Sequence, residues 1–158
     1  MNPKIKTLPA LKKILSGAKR RNKKVVFTNG CFDLLHRGHV EYLKKAASLG
    51  DILVLGLNSD SSVRGLKGEG RPVTSQGDRA NVLASLEFVD YVIIFKEGTP
   101  LNLIKELKPD ILVKGADWDK NKIIGKTQVE SYGGRVEVVH YLKGYSTTDL
   151  LKKIAGKS

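Results

Sequence analysis

VVFTNGCFDLLHRGH, residues 25–39, is the stretch that decides the fold. Its first part, Val25 to Thr28, is β-branched and aromatic, which predicts a short buried strand. From Gly38 to Leu49 apolar residues recur at helical spacing, which predicts a helix directly afterwards. The two histidines of the stretch, His36 and His39, therefore lie at a strand-to-helix junction.

This junction is suited to binding an anion. The free N–H groups and the positive dipole end of the predicted helix favour negative charge, and Gly30 and Gly38 let a phosphate approach the main chain. His36 and His39 add side-chain donors. A nucleoside triphosphate that is split between its α and β phosphates gains charge on its oxygens, so preorganised donors lower the barrier. Two histidines at this spacing alone would also fit a solvated helix start.

The longer string GCFDxxHxGH, residues 30–39, resembles the signature of the HxGH nucleotidyltransferases, which move nucleoside monophosphate units onto phosphorylated acceptors. Three further segments, KGADW (114–118), GYSTT (144–148) and GLKGEGRP (65–72), are similar to the adenylyltransferases of ADP-heptose synthesis. The resemblance runs from about Lys24 to Ile154. It implies transfer of AMP from ATP to D-glycero-β-D-manno-heptose 1-phosphate with release of pyrophosphate. Mg²⁺ is expected as cofactor, bound through the phosphates of ATP, and no protein side chain is assigned as its ligand.

The resemblance assigns residues to three groups. The catalytic group is His36, His39 and Lys67. The nucleotide-binding group consists of Thr28, Asn29, Gly30, Cys31, Phe32, His36, Gly38, His39, Lys114, Gly115, Asp117, Tyr145, Ser146, Thr147 and Thr148. The acceptor-binding group consists of Asp33, Lys67, Arg71, Arg79 and Trp118.

Several of these residues have a structural alternative. Asp33 either orients its loop or holds the acceptor. Arg79 matches an arginine that related cytidylyltransferases place near phosphates, but a surface ion pair would also explain it. Trp118 either caps a sugar or base or packs in the core. Cys31 is a small packing residue rather than a nucleophile, because this reaction class needs none.

The predicted start of the last helix has two compatible roles. Ser146 is a typical N-cap, with Asp149 near the third helical position. The same helix end is an anion site, which the resemblance assigns to the nucleotide phosphates. Glycerol-phosphate cytidylyltransferases carry an arginine five residues before this serine, where the present chain has Tyr141. This difference argues against that relative and leaves open which cation replaces the arginine.

Five strand-like runs predict an α/β fold, a Rossmann-like doubly wound parallel five-stranded sheet with helices on both faces. The runs are Val25–Thr28, Ile52–Leu57, Tyr91–Phe95, Ile111–Val113 and Val136–Val139. In such a sheet ligands bind outside the carboxyl ends of the strands, where the strand order reverses. We predict a single nucleotidyltransferase domain over residues 1–158, with an N-terminal helix within residues 1–22 packed on it.

Two segments give weaker predictions. Ser59 to Gly77 has little periodicity and many glycines, which predicts a long functional loop whose Lys67 closes over the triphosphate. A merely solvated loop is the alternative. Asn121 to Tyr132 predicts a helix that Gly125 interrupts.

Composition narrows the function classes. The chain has 28 Lys and Arg against 16 Asp and Glu, which gives a formal net charge of +12. This charge suits polyanionic substrates, but it would also fit a protein that binds nucleic acid. We expect no nucleic acid partner, since the sequence has no stacking platform or recognisable nucleic-acid module. One cysteine and no long apolar run predict a cytoplasmic protein without membrane insertion.

The resemblance to the adenylyltransferases implies two partners. The chain is expected to form a homodimer, and a separate heptose kinase is expected to supply its phosphorylated substrate. The rival enzyme is another transferase of the superfamily, using CTP with glycerol 3-phosphate or ATP with a different acceptor. The rival from another class is a basic nucleic-acid-binding protein.

Overall fold

The computed structural model describes residues 2–156 and contains one sheet of five parallel strands in the order β3-β2-β1-β4-β5. The strands are β1 Val25–Gly30, β2 Ile52–Asn58, β3 Tyr91–Phe95, β4 Ile111–Gly115 and β5 Arg135–Val139. The predicted doubly wound α/β sheet is confirmed, and β1, β2 and β4 each extend further at their carboxyl ends than predicted.

Seven α-helices join and cover these strands within the described residues. They are α1 Leu8–Arg20, α2 Arg37–Ala47, α3 Asp60–Lys67, α4 Gln76–Ala84, α5 Leu101–Leu107, α6 Lys126–Ser131 and α7 Thr147–Ile154. Helices α2 and α4 pack in the core on one face of the sheet, and α1, α5 and α6 pack on the other. None of the helices within residues 2–156 is both long and apolar enough for a bilayer crossing.

Helix capping and apolar packing explain the first helix. Helix α1 begins after Thr7, whose hydroxyl accepts the Ala10 N–H, and has Pro in its first turn, where a missing N–H costs nothing. Its buried residues Leu11 and Leu15 join the core beside Phe27 of β1. The predicted N-terminal helix therefore packs on the sheet through one apolar stripe.

The prediction of a long loop from Ser59 to Gly77 is wrong in its first half. Residues Asp60–Lys67 form α3, capped by the Ser59 hydroxyl, and Val63 is fully buried. Lys67 is thus the last residue of a helix. Only residues 68–75, called the strap below, lack helical structure before α4 begins.

The predicted helix over Asn121–Tyr132 is also corrected. It is a single 3₁₀ turn, Lys120–Lys122, followed by the short helix α6. Gly125 lies between them with a φ of 93°, a left-handed conformation that interrupts a right-handed helix.

The strand order reverses between β1 and β4, which are neighbours in the sheet although β2 and β3 lie between them in sequence. The segments that follow these two strands lie on either side of the point where the order changes. One carries the histidines, and the other begins at Ala116, directly after Lys114 and Gly115 of β4. This is where an open α/β sheet binds its ligand.

Candidate active site

The first component of the site is the segment Cys31–His36 between β1 and α2, called the histidine loop below. Phe32 and Leu34 have φ angles of 46° and 52°, a left-handed conformation that is costly for side chains other than glycine. Phe32 is buried and contacts the His39 ring edge to face, with 5.3 Å between ring centroids. It therefore packs the loop, and its predicted nucleotide contact has no support in this position.

His36 and His39 cap helix α2 reciprocally. The His39 N–H donates to His36 Nδ1, and the His36 N–H donates to His39 Nδ1, both at 3.4 Å. The two rings stack with their centroids 3.8 Å apart. This is a capping box in which two imidazoles replace the usual hydroxyl and carboxylate.

These contacts determine the protonation of both rings. A nitrogen that accepts an N–H carries no proton, so each neutral imidazole holds its proton on Nε2. Burial lowers the pKa of His36, and burial together with His36 lowers the pKa of His39 to about 4. At neutral pH the site therefore presents two uncharged Nε2–H donors.

Gly38 makes the capping arrangement possible. A Cβ at this position would lie 2.9 Å from His36 Cε1 and 2.9 Å from Tyr145 Cβ. The missing side chain thus gives room to the imidazole and to the chain before α7. The predicted close approach of a phosphate to this glycine stays a prediction. Gly30 is similar, since its Cβ would meet the Phe32 ring.

Asp33 is a buried carboxylate that orients the site. It accepts the N–H of Val73 at 2.7 Å, the N–H and hydroxyl of Thr74 at 3.1 Å, and Arg71 Nε at 3.1 Å. Burial alone would raise the pKa of Asp33, but these donors hold it below its usual value. Of the two alternatives for Asp33, the geometry supports loop orientation, since both carboxylate oxygens already have partners.

Arg71 and Arg79 differ in how many of their guanidinium N–H groups are bonded within the protein. Arg71 gives Nε to Asp33, and its remaining N–H groups have no hydrogen-bond partner within residues 2–156. Arg79 is 2% exposed and donates to main-chain oxygens and to Asp60, so it does not face the cleft. The expectation that Arg79 binds the acceptor is corrected, because its guanidinium is committed inside the protein.

Three cations surround Cys31. Burial raises the pKa of its thiol, while Lys67, Arg79 and Arg71 each act to lower it, in decreasing order. Lys67, the first of these cations, lies at the exposed end of α3. A thiol with a raised pKa is a poor nucleophile, in agreement with the packing role expected for Cys31.

The second component of the site lies at the end of β4. Lys114 Nζ donates to Asn29 Oδ1 at 2.6 Å and lies 5.6 Å from the centroid of the Trp118 ring. Burial lowers the pKa of Lys114 to about 8, and Asp117 partly opposes this shift. Trp118 is 50% exposed, so its indole is not part of the core. The pair thus offers an ammonium and an accessible aromatic face to a ligand.

Tyr141 occupies the space beside Gly115. A Cβ at Gly115 would overlap the Tyr141 ring, which stacks on Tyr42 with centroids 4.8 Å apart. Burial and Asp117 raise the pKa of Tyr141 to about 12. Tyr141 thus places a neutral ring over the last residue of β4.

The third component is the start of α7. The Ser146 hydroxyl accepts the Asp149 N–H at 3.0 Å, which confirms the predicted cap. The Thr147 hydroxyl donates to the Asp33 carbonyl at 2.7 Å and so ties α7 to the histidine loop. Thr148 is exposed, as is Tyr145, whose ring centroid lies 6.3 Å from that of His36.

Thr28 is a further predicted binding residue whose side chain does not face the cleft. It is fully buried, and its hydroxyl bonds to Tyr42 and to the Val113 carbonyl. This pairing joins β1, α2 and β4 beneath the cleft. The Thr28 side chain therefore supports the site rather than contacting phosphate.

Sequence reasoning missed Asp60, Thr74, Asn58 and Tyr42. The first three lie around the Arg79 guanidinium, and Tyr42 bonds to Thr28 and stacks on Tyr141. Asp60 had a local signal, because serine followed by aspartate often begins a helix. Tyr42 and Asn58 had none, since Thr28 and Arg79 lie 14 and 21 positions away from them. Thr74 bonds to Arg79 five positions later but to Asp33 41 positions earlier, and no local pattern indicates either contact.

The described residues contain no group of three or more His, Cys, Asp or Glu side chains suited to a metal ion. Mg²⁺ commonly keeps several waters and binds through substrate phosphates with one or two carboxylates. Asp117 is the exposed carboxylate next to Gly115. The residues present thus fit an ion that is held chiefly by a triphosphate.

Comparison with known proteins agrees with this geometry. Bifunctional protein HldE of Geobacter metallireducens is 60% identical over 151 residues, which are 96% of this chain and 31% of that protein. The same-named protein of Geobacter sulfurreducens is 57% identical over the same share of each chain. This chain therefore spans 31% of the length of these curated relatives.

Two solved structures share the fold. The lipopolysaccharide core biosynthesis protein of Thermoplasma volcanium has a TM-score of 0.64 and 32% identity, covering 78% of this chain and 99% of the other. Pantoate-beta-alanine ligase of Francisella tularensis has a TM-score of 0.63 and 17% identity, covering 94% and 76%. The second likeness shows the fold alone.

The family profile described as cytidylyltransferase-like matches residues 27–153, a range that contains most of β1, the histidine pair and the start of α7. The prediction of a nucleotidyltransferase is thereby confirmed. Since the profile spans most of the chain and its strand-to-helix histidines lie at the switch point, the chain belongs to the cytidylyltransferase-like family.

Proposed function

We propose that this protein transfers AMP from ATP to D-glycero-β-D-manno-heptose 1-phosphate and releases pyrophosphate, for lipopolysaccharide synthesis. The observation that carries the transfer chemistry is the reciprocal cap, which leaves two neutral Nε2–H donors at the start of α2. The identity of 60% to bifunctional protein HldE and the relation to a lipopolysaccharide core biosynthesis protein support the acceptor.

The reaction is a single in-line displacement. An oxygen of the sugar 1-phosphate attacks the α-phosphorus of ATP, a new P–O bond forms, and the bond to the β-phosphate oxygen breaks. Pyrophosphate leaves with the bonding electron pair. The acceptor phosphate is already an anion at neutral pH, so the step needs no general base and no covalent enzyme intermediate.

Each proposed ligand group neutralises charge or fixes position. His36 and His39 donate to the phosphate chain, where charge grows in the transition state. Lys67 and Arg71 attract the triphosphate or the acceptor phosphate from the α3 side of the cleft. Mg²⁺, when bound through the phosphates, supplies further charge neutralisation.

On the β4 side we assign Lys114 to a phosphate and Asp117 to ribose hydroxyls. Trp118 covers a sugar or base. The N–H groups at the start of α7, with Ser146 and Thr148, complete the anion site. The Asn29 amide positions Lys114, and the main chain of Gly30 and Cys31 borders the phosphates.

A homodimer, a cytoplasmic location and supply of the sugar phosphate by a separate kinase belong to the same proposal. Light scattering on a sizing column tests the first of these. A mass equal to one chain at assay concentration would contradict the dimer.

The decisive experiment measures pyrophosphate release with Mg²⁺ while crossing ATP and CTP with three acceptors. These are the heptose 1-phosphate, glycerol 3-phosphate and phosphopantetheine. We expect turnover only for ATP with the heptose phosphate, and background from a variant carrying both His36→Ala and His39→Ala. Release with another pair would reassign the substrates. Silence with every pair, together with salt-sensitive binding to oligonucleotides, would favour the nucleic-acid-binding alternative.

A further inference from the structure

Arg79 forms the most connected polar contact of the candidate site. Its Nη1 donates to the Cys31 carbonyl at 2.6 Å and to the Asn58 carbonyl at 2.9 Å. Its Nε donates to the Thr74 carbonyl at 3.0 Å, and Nη2 donates to Asp60 Oδ1 at 2.8 Å. A buried guanidinium is costly unless its donors are satisfied, and these four bonds satisfy most of them.

The four acceptors belong to four different segments. Cys31 begins the histidine loop, Asn58 ends β2, Asp60 begins α3 and Thr74 lies in the strap. Arg79 itself is in the first turns of α4. One side chain therefore fixes the distance between the histidine loop and the two segments that carry Lys67 and Arg71.

Thr74 links Arg79 to Asp33. Its carbonyl accepts from Arg79, while its N–H and hydroxyl donate to the Asp33 carboxylate. The strap is thus held from both sides, by a buried cation and a buried anion that do not bond to each other. A displacement of either Arg79 or Asp33 would therefore displace Thr74.

We propose that Arg79 is a positioning residue for phosphate transfer: without touching substrate, it sets the histidine loop and the strap at the separation that lets His36, His39, Lys67 and Arg71 act on one phosphate chain. This inference rests on the proposed function for its kinetic consequence only. The structural part stands on the hydrogen bonds alone.

Lysine cannot replace this arginine. A guanidinium spreads five donors over a plane, and here they reach acceptors in four segments at once. An ammonium has three donors on one atom and cannot span the same set. Arg79→Lys therefore keeps the charge but loosens the histidine loop from the strap.

The first readout needs no substrate. Amide hydrogen exchange reports local opening, and the N–H groups of Val73 and Thr74 are direct reporters because Asp33 accepts both. In Arg79→Lys we expect these two amides to exchange about tenfold faster, with strand β2 unchanged. Asp60→Asn, which weakens only one of the four bonds, should give a smaller acceleration. Arg135→Lys, an exposed arginine of β5, is the matched control.

The second readout is kinetic. We expect Arg79→Lys to lower kcat by about 100-fold, because small displacements of catalytic groups have effects of this size, while KM for both substrates stays within about threefold. Arg71→Lys should show the opposite pattern and raise KM, since we propose that the remaining donors of Arg71 contact a substrate phosphate. The melting temperature of each variant is measured alongside.

A failure of the positioning role of Arg79 can be told apart from a failure of the proposed function. Unchanged exchange at Val73 and Thr74 in Arg79→Lys would overturn the positioning role, whatever the enzyme does. A tenfold or larger rise in KM with kcat retained would also overturn it, because Arg79 would then contact substrate. Faster exchange in a protein that is inactive with every substrate pair would support the positioning contacts and contradict only the proposed function.

Discussion

Separating the two roles of His36 is the sharpest test of the site. Its Nδ1 caps helix α2, and its Nε2–H is the proposed donor to phosphate. His36→Ala removes both functions. His36→Ser restores a capping oxygen but leaves no donor long enough to replace the imidazole.

The expected magnitudes differ for stability and for rate. Loss of an N-cap costs about 1 kcal/mol, and the 3.4 Å length of this bond places His36→Ala at or slightly below that value. In a chain of this size about 1 kcal/mol corresponds to about 2–4 °C in melting temperature. Loss of one donor to developing charge lowers kcat by about 100- to 1,000-fold.

Urea unfolding and pyrophosphate release measure the two effects on the same preparations. We expect His36→Ser to recover the stability of the parent protein while its kcat stays as low as that of His36→Ala. His140→Ala, an exposed histidine beyond β5, controls for the loss of an imidazole. If His36→Ser recovered activity to within about tenfold, the imidazole would serve only as a cap, and the reasoning about Nε2–H would be wrong.

Three further predictions follow from pKa shifts and packing. The folded-state pKa of His39 is about 4, below its ordinary value of 6.5, so the unfolded chain takes up a proton at higher pH than the folded protein. The free energy of unfolding should therefore fall as the pH drops from 6.5 toward 4. Urea titrations of His39→Gln should show a weaker dependence of this free energy on pH. If the Lys114 ammonium stabilises phosphate, turnover should decline as pH rises through about 8, and a pH–rate profile of Lys114→Met should lack that limb. Gly115→Ala should destabilise by about 1–3 kcal/mol because its Cβ overlaps Tyr141, whereas thermal melts of Gly65→Ala, which has open space on α3, should show no loss.

The strands and most helix starts were predictable because their signals are local. Strand β1 begins with the apolar run of residues 25–27, and α7 begins with a serine cap that the structure confirms. Helix α3 was missed because Gly65 and the glycines after it hid a short apolar pattern. Its Ser59 cap and buried Val63 were visible in the sequence, but they give only one helical turn of periodicity.

In the candidate site, too, features with a local sequence signal were predictable and those without one were not. The histidine pair was predictable because both rings belong to one loop and one helix start. The opposite placements of Arg71 and Arg79 were not, because nothing near either residue says which is buried. Two of the three carbonyls that hold Arg79 belong to residues 48 and 21 positions earlier in the chain. Only the sheet order brings them together.

Trp118 has a practical consequence for studying the enzyme. It is the single tryptophan among 158 residues, half-exposed, and its ring lies beside the Lys114 ammonium at the end of β4. Indole emission depends on the polarity and charge around the ring, and every other aromatic residue of the chain is Tyr or Phe. The intrinsic fluorescence of the unlabelled protein therefore comes chiefly from this side of the cleft, so that titrations and stopped-flow traces can follow occupancy there without any engineered probe.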